Sequence, residues 1–591
     1  MDYIPPTRRL RVLSAIIAVL LGVLVVRLWQ LQVLQGARYL RQSEENRVRD
    51  YTISALRGVI YDRKGRPLVS SRPSFTVAVL PLELRRKDEV LANLSAILDL
   101  PVEEIQSRIA ANRERPFEPV RIRRDVGPRV VTMLEENRLD LPGVIILAEP
   151  VRYYLYGTLA AHALGYVSEI DEGELALRRD QGYRSGDLIG KSGVERAYES
   201  VLRGVDGRLR MEVDALGRPL REIARVPAIP GRSIALTLDL DLQRAAAEGL
   251  RASGQKSGAV VAIDPRTGGI LAMESMPGYD PNLFATGISA ANWRRLTTDR
   301  LRPMLSRAIS TSFEPGSVFK IVTATAALEQ GIVTRDSTFY APGYFRLGAW
   351  VFRDLRAWGT VNFIQGIQHS INVVFYTLGY RLGGETLAAQ AKQMGLGQLT
   401  GIELPGEGAG TIPSPSTKQD LVGEPWYPGD SVNMSIGQGA VTVTPLQVAR
   451  MMASIANNGT LLQPHVLLYA LERDRSKTSS SPVVQRERLY SPYTLAVLQE
   501  GLRVAAERGT GRASAVKGLP IAGKTGSAEN PRGKPHAWFA GYAPADAPRV
   551  VVVAFVEHGF RGGLSAAPIV RRVLEAAFPP PLPQGQPEAS P

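Results

Sequence analysis

The sequence predicts an α/β protein of the α+β type, whose largest domain is a five-stranded antiparallel sheet flanked by helices. Three observations carry that prediction. An uncharged apolar stretch, VLSAIIAVLLGVLVV, runs from Val12 to Val26 and sets the N-terminus apart. Five apolar runs of strand length, AVVAID, ILAMES, LPIAGKTGS, HAWFAGYAP and RVVVVAFVEHG, are bounded by turn chemistry, and apolar helix-like segments fill the interval between the second and the third. A chain of 591 residues with 44% hydrophobic content can also fill more than one core.

Taken in order, the N-terminal run is too short to span a bilayer by itself. Its 15 residues rise roughly 22 Å, against a hydrocarbon core of about 30 Å. A spanning helix over 12–34 therefore continues past Arg27 through LWQLQVL, with Arg27 snorkelling and Trp29 at the interface. Arg8, Arg9 and Arg11 favour a cytoplasmic N-terminus over residues 1–11, which puts everything after about residue 35 outside, on a single-pass membrane protein. A cleaved signal peptide is the competing reading, since it shares the basic start and apolar middle. No A-x-A-like cleavage site follows the run, however.

Residues 35–230 read as a mixed α/β domain without catalytic pattern. In YDRKGRPLV, Lys64-Gly65 predicts a tight turn, and Arg57 and Asp62 of RGVIYDR are expected to form a structural ion pair. Residues 231–577 form the main domain, where AVVAID and ILAMES are joined by PRTGG as a hairpin. The tail 578–591, FPPPLPQGQPEASP, is expected to be disordered.

Composition removes several function classes. The absence of cysteine excludes disulfides, thiol catalysis and thiolate metal sites. The five histidines match no ligand spacing, so neither a metal nor a cofactor is expected. The net charge of +14 suits an anionic membrane surface, but its arginines are scattered rather than interleaved with aromatics, and no nucleic-acid partner is expected.

The sharpest chemical signal is FEPGSVFK, residues 313–320, followed by the helix-like IVTATAALEQ. A serine and a lysine three apart on a helix share a face, which places the Lys320 amine within reach of the Ser317 hydroxyl as base and nucleophile. Pro-Gly ahead of the serine predicts that the helix begins there, its positive end favouring an oxyanion. Two other S-x-x-K pairs, Ser253 to Lys256 and Ser514 to Lys517, open no apolar helix. S-I-N at Ser370 to Asn372 and K-T-G at Lys524 to Gly526 complete the order S-x-x-K, S-x-N, K-T-G. A rival S-x-N at Ser431 to Asn433 lies in a glycine-rich segment. Ser370 is preferred because INVVFYTLGY continues it as an apolar helix.

With these motifs and with RGVIYDRKG, AAHALGYV, GKSGVERAYE, SINVVFY, SIGQG and GKTGSAE, the chain resembles the class B penicillin-binding proteins over nearly all of residues 8–575. HAWF, GYAP and VVVAFVEHG make it most similar to the elongation type, penicillin-binding protein 2; the division-specific type is the near alternative. The resemblance implies a transpeptidase domain of the penicillin-binding and serine β-lactamase kind on a non-catalytic pedestal. Ser317 would attack the penultimate D-Ala of a peptidoglycan stem peptide, and Lys320 would take its proton. Ser370 would relay a proton to the leaving amine, Asn372 would hold the substrate backbone, and Lys524 would supply positive charge. Thr525 would bind the terminal carboxylate, with Gly526 and Ser527 on the substrate side and the Ser317 and Ser527 N–H groups as oxyanion hole. Ser527 departs from the family's frequent Thr. Implied partners are stem peptides, β-lactam antibiotics, the membrane, a SEDS-family glycosyltransferase and other elongation-complex proteins. A β-lactamase or β-lactam sensor shares the serine and lysine logic, but size, anchor and pedestal argue against it.

Overall fold

The structure, a computed structural model, describes residues 6–36, 48–111, 119–213, 219–474, 476–530 and 533–580. Most of the expected disordered tail, residues 581–591, lies outside the described residues, as do residues 1–5.

Helix α1 (Pro6–Trp29) continues as a π-helical turn, Gln30–Leu34. Apolar side chains are exposed all round it, among them Val12, Leu20, Leu24 and Val26, which is unfavourable in water and suited to lipid. The 25 residues Leu10–Leu34 are long and apolar enough to cross a membrane. Arg27 Nη1 donates to Gln30 Oε1 at 2.7 Å.

The chain divides into two compact units. The first takes the described parts of residues 1–56, 75–149 and 204–230. It holds β1 (Val48–Ile53), the 75–79 end of β2 (Pro67–Val79), α2 (Lys87–Leu98), α3 (Val102–Ala111), β3 (Val120–Val126), α4 (Pro128–Glu136), β4 (Gly207–Val213) and β5 (Pro219–Val226). Strands β1, β4 and β5 form one antiparallel sheet. Phe75 to Val79 of β2 pairs antiparallel with β3. In α2, Val90, Leu91, Leu94 and Leu98 fall on one helical face, and they pack with Val77, Ile105, Ile122 and Leu134.

The second unit takes residues 57–74, 150–203 and everything described after 231, so two segments before residue 230 group with it. Its elements include α5 (Leu240–Ala252), β6 (Gly258–Ile263), β7 (Ile270–Met276), α6 (Lys320–Glu329), β8 (Tyr344–Leu347), β9 (Trp350–Arg353), α7 (Phe363–His369) and α8 (Asn372–Gln393). There follow α9 (Pro445–Ala456), α10 (Pro492–Arg508), β10 (Ala522–Asn530), β11 (Gly533–Ala543), β12 (Val550–Val556) and α11 (Ala567–Ala577). The five expected strands form one antiparallel sheet in the order β7-β6-β12-β11-β10.

The central run VVVVAFV is apolar at every position because helices cover both sheet faces. Val551, Val553 and Phe555 join the core that includes α9, whereas Val550, Val552, Ala554 and Val556 join Leu242, Ala246 and Leu250 of α5 and Ile569, Val570 and Val573 of α11. Strand β10 lies at the sheet edge.

Arg57 and Asp62 do not pair with each other. Asp62 is taken up by its own turn, accepting from the backbone N–H groups of Lys64 and Arg66 at 2.9 and 2.8 Å and from the Arg66 guanidinium at 2.7 Å, with Gly65 left-handed at φ +81°. Arg57 instead reaches Glu195 and Glu199, each at 2.6 Å.

Candidate active site

Ser317 sits on a 3-10 turn, Gly316–Val318, immediately ahead of α6, so the helix starts one turn later than the Pro-Gly signal suggests. Two glycines let the surrounding backbone close on this turn. Gly316 is left-handed at φ +53°, and a Cβ there would lie 2.5 Å from the Ser527 carbonyl oxygen. A Cβ on Gly526 would lie 2.8 Å from the Pro315 carbonyl oxygen. The Gly316 N–H donates to Gly437 O at 3.0 Å, and Trp538 Nε1 donates to Glu314 O at 2.9 Å, so the turn is gripped from both sides.

Lys320 opens α6 with its side chain inward, 1% exposed. Its Nζ donates to Ser370 O at 2.7 Å and to Asn372 Oδ1 at 2.6 Å, and lies 3.1 Å from Ser370 Oγ. Lys524 comes from β10 and is equally buried; its Nζ donates to Ser370 Oγ at 2.8 Å and to Thr525 O at 3.1 Å. Behind both amines stands an apolar wall of Ile321, Ala324, Ile367, Phe375, Leu498 and Leu502. Burial there pushes Lys524 down to about 7. Burial, then the neighbouring Lys524 charge, hold Lys320 well below the ordinary lysine range, with Asp354 acting the other way.

The hydrogen-bond inventory agrees with that direction. A neutral amine has two N–H donors and one lone pair. Two pure acceptors, Ser370 O and Asn372 Oδ1, take the donors of Lys320 and leave its lone pair for the Ser370 hydroxyl proton. Ser370 Oγ can then accept from Lys524, so the hydroxyl bridges both amines. The serine is placed for this by an unusual backbone: it is the C-cap of α7, left-handed at φ +57°, where glycine or asparagine is the common choice.

The resting arrangement differs from the expected pairing in one respect. No hydrogen bond joins Lys320 to the Ser317 hydroxyl, because the amine is fully engaged by Ser370 and Asn372. The rival Ser431 is 4% exposed and accepts from Trp426 Nε1 at 3.0 Å, away from both lysines. The other S-x-x-K pairs are inert: Ser253 and Ser514 bond their own turns, and Lys256 and Lys517 are exposed.

Thr525 and Ser527 follow Lys524 on the edge strand. The Thr525 hydroxyl meets that of Thr510 at 2.6 Å, and Ser527 is exposed, its Oγ accepting from Gly562 N at 3.3 Å. Thr510 was invisible to motif spacing; a turn residue after a helix carries no signal. His536 packs between Phe313 and Phe555 at 5.6 and 5.5 Å, and burial lowers it to about 4, which fits a packing role.

A family model described as Penicillin binding protein transpeptidase domain matches residues 258–575, and one described as Penicillin-binding Protein dimerisation domain matches residues 52–236. The chain belongs to the penicillin-binding protein transpeptidase family, and it is a penicillin-binding serine transpeptidase. Among its relatives, the peptidoglycan D,D-transpeptidase MrdA of Haemophilus influenzae is 34% identical over 97% of this chain and 92% of its own length. The penicillin-binding protein PBP2 of Helicobacter pylori, solved in complex with MreC, superposes with a TM-score of 0.77 at 26% identity, covering 90% of this chain and 99% of that one. A chain of a peptidoglycan synthase complex, from a study of how polymerization and crosslinking are coordinated, superposes with a TM-score of 0.71 at 35% identity, covering 96% of this chain and 98% of that one.

Proposed function

We propose that this chain cross-links peptidoglycan stem peptides through a Ser317 acyl-enzyme during wall elongation, and that β-lactams trap the same serine. The observation that carries the site is the pair of buried amines sharing the Ser370 hydroxyl, one of them with its lone pair turned to that hydroxyl by hydrogen-bond count.

On this reading a donor peptide lies along the open edge of β10, where extended backbone can add to the ladder. Its terminal carboxylate meets Thr525, beside Thr510 and near the Lys524 charge. Asn372 turns from Lys320 to the substrate amide, and the Ser370 hydroxyl proton swings off the Lys320 lone pair, which is then free to accept the Ser317 proton. Ser317 Oγ then attacks the penultimate D-Ala carbonyl, with the N–H groups of Ser317 and Ser527 holding the oxyanion. The proton passes through Ser370 to the departing D-Ala nitrogen as the C–N bond breaks. An amine of a neighbouring stem peptide attacks the ester and restores Ser317.

The Leu10–Leu34 helix anchors the chain once in the inner membrane, N-terminus in the cytoplasm and active site outside. Residues 1–230 serve as anchor and pedestal and contact a SEDS-family glycosyltransferase, in keeping with the synthase complex and the PBP2–MreC complex among its structural neighbours. Co-purification that survives deletion of 1–230 would contradict that contact.

The deciding test is covalent labelling by a fluorescent penicillin. Ser317→Ala should abolish it; a labelled Ser317→Ala protein would remove Ser317 from the mechanism.

A further inference from the structure

Hairpin β8–β9 is built on alternation. Phe345 and Phe352 face α8, their rings 6.3 and 5.6 Å from that of Tyr376, whereas Tyr344 and Trp350 are exposed. Asp354 leaves the hairpin on the turn after β9, its N–H donating to Gly343 O at 2.8 Å and closing the hairpin base.

The Asp354 carboxylate has two backbone partners. One oxygen accepts from Leu355 N at 2.7 Å, the other from Val373 N at 3.0 Å. Val373 is the second residue of α8, where the first-turn N–H groups lack partners inside the helix. The N-cap residue, Ile371, has no side chain to offer, so the cap comes from 19 residues upstream. That same turn carries Asn372, which accepts from Lys320, and begins two residues after Ser370.

We propose that Asp354 is a positioning residue for acyl transfer: by capping α8 from the hairpin it fixes Asn372 and Ser370 against the Lys320 amine. The inference rests on the assignment of Lys320 as the base for Ser317. Asp354 also supplies the negative charge that opposes the loss of the Lys320 proton, against burial and Lys524 of β10. The other groups about the base are the Phe375 ring, 5.2 Å from its amine, and neutral Ser370 and Asn372. Around Asp354 stand the exposed Arg353 and Arg356 and the Tyr376 phenol. A base whose pKa falls too far is a weak base, so this carboxylate keeps Lys320 useful as well as placed.

The test is the pH dependence of acylation by a fluorescent penicillin, measured on the full-length protein in detergent. Asp354→Asn keeps an acceptor for Val373 but loses the charge, so the neutral amine should persist to lower pH and the acid limb should move down by about half a unit or more. Asp354→Ala loses the cap as well and should acylate about tenfold more slowly on the pH plateau above the acid limb. An unmoved acid limb in Asp354→Asn overturns the inference whatever its thermal midpoint, and so does parental acylation in Asp354→Ala. Ser317→Ala in the same series separates the two ideas: its continued labelling would sink the site assignment, whereas its silence beside an unmoved Asp354→Asn limb sinks only the role of Asp354.

Discussion

Arg57 and Lys320 are both basic side chains packed into the second unit, and their surroundings could hardly differ more. Arg57 is met by Glu195 and Glu199, and Glu195 is shared with Arg152 at 2.7 Å. Glu199 also accepts from the Tyr183 hydroxyl at 2.7 Å and from Gly190 N at 2.8 Å. Burial alone would lower Arg57, but the two carboxylates outweigh it and lift the guanidinium above its ordinary value. Lys320 and Lys524 hydrogen-bond to neutral groups against an apolar wall, and both are lowered, Lys320 despite the opposing charge of Asp354. Where charge is matched, the cation is structural and fixed. Where it is left unmatched, the proton becomes labile, which is what a base requires.

The largest effect should follow from removing the labile amine. Lys320→Met should slow acylation by a fluorescent penicillin about a thousandfold while leaving the thermal midpoint unchanged or higher, since an apolar chain replaces a buried amine. Loss of stability in place of loss of rate would put Lys320 in the structural class with Arg57. Next comes Glu195→Ala, which strands the buried Arg152 guanidinium and leaves Arg57 with Glu199 alone, and should cost about 3–5 kcal/mol in denaturant unfolding. A cost near zero would mean that the network is relaxed by water and the contrast is overstated.

The smallest effect is in the pH dependence of stability. Lys524 is held near 7 when folded and returns to about 10.5 when unfolded, so between those values the unfolded chain binds a proton that the folded one does not. Stability should therefore rise with pH across that window, and Lys524→Met should flatten the rise in thermal midpoints measured from pH 7 to 10. An unchanged slope in the variant would show that the amine stays charged in the fold.

The parts legible in the sequence are those written locally. The five strands announced themselves because each is a short apolar run closed by turn residues. Ser317, Lys320, Ser370 and Lys524 stood out through order and spacing. Long-range choices left no such trace: nothing in RGVIYDR says that Arg57 will ignore Asp62 for Glu195, since Asp62 is diverted by its own turn. Thr510 and Asp354 reach the site from loops whose local sequence is ordinary. The spacing of Ser317 and Lys320 also hid that the lysine rests on Ser370 and Asn372, because spacing defines proximity and not the direction of a lone pair.

That resting engagement has a consequence for timing. If the lone pair of Lys320 is occupied by the Ser370 hydroxyl until Ser370 and Asn372 are drawn away together, the serine is latent in the empty enzyme, and only a ligand that competes for both arms it. Breaking one such hydrogen bond costs about 0.5–1.5 kcal/mol, a toll levied equally on water, stray esters and true donors. Only a molecule that fills the β10 edge and the Asn372 amide together recovers it, so discrimination is exercised before any bond to carbon is made.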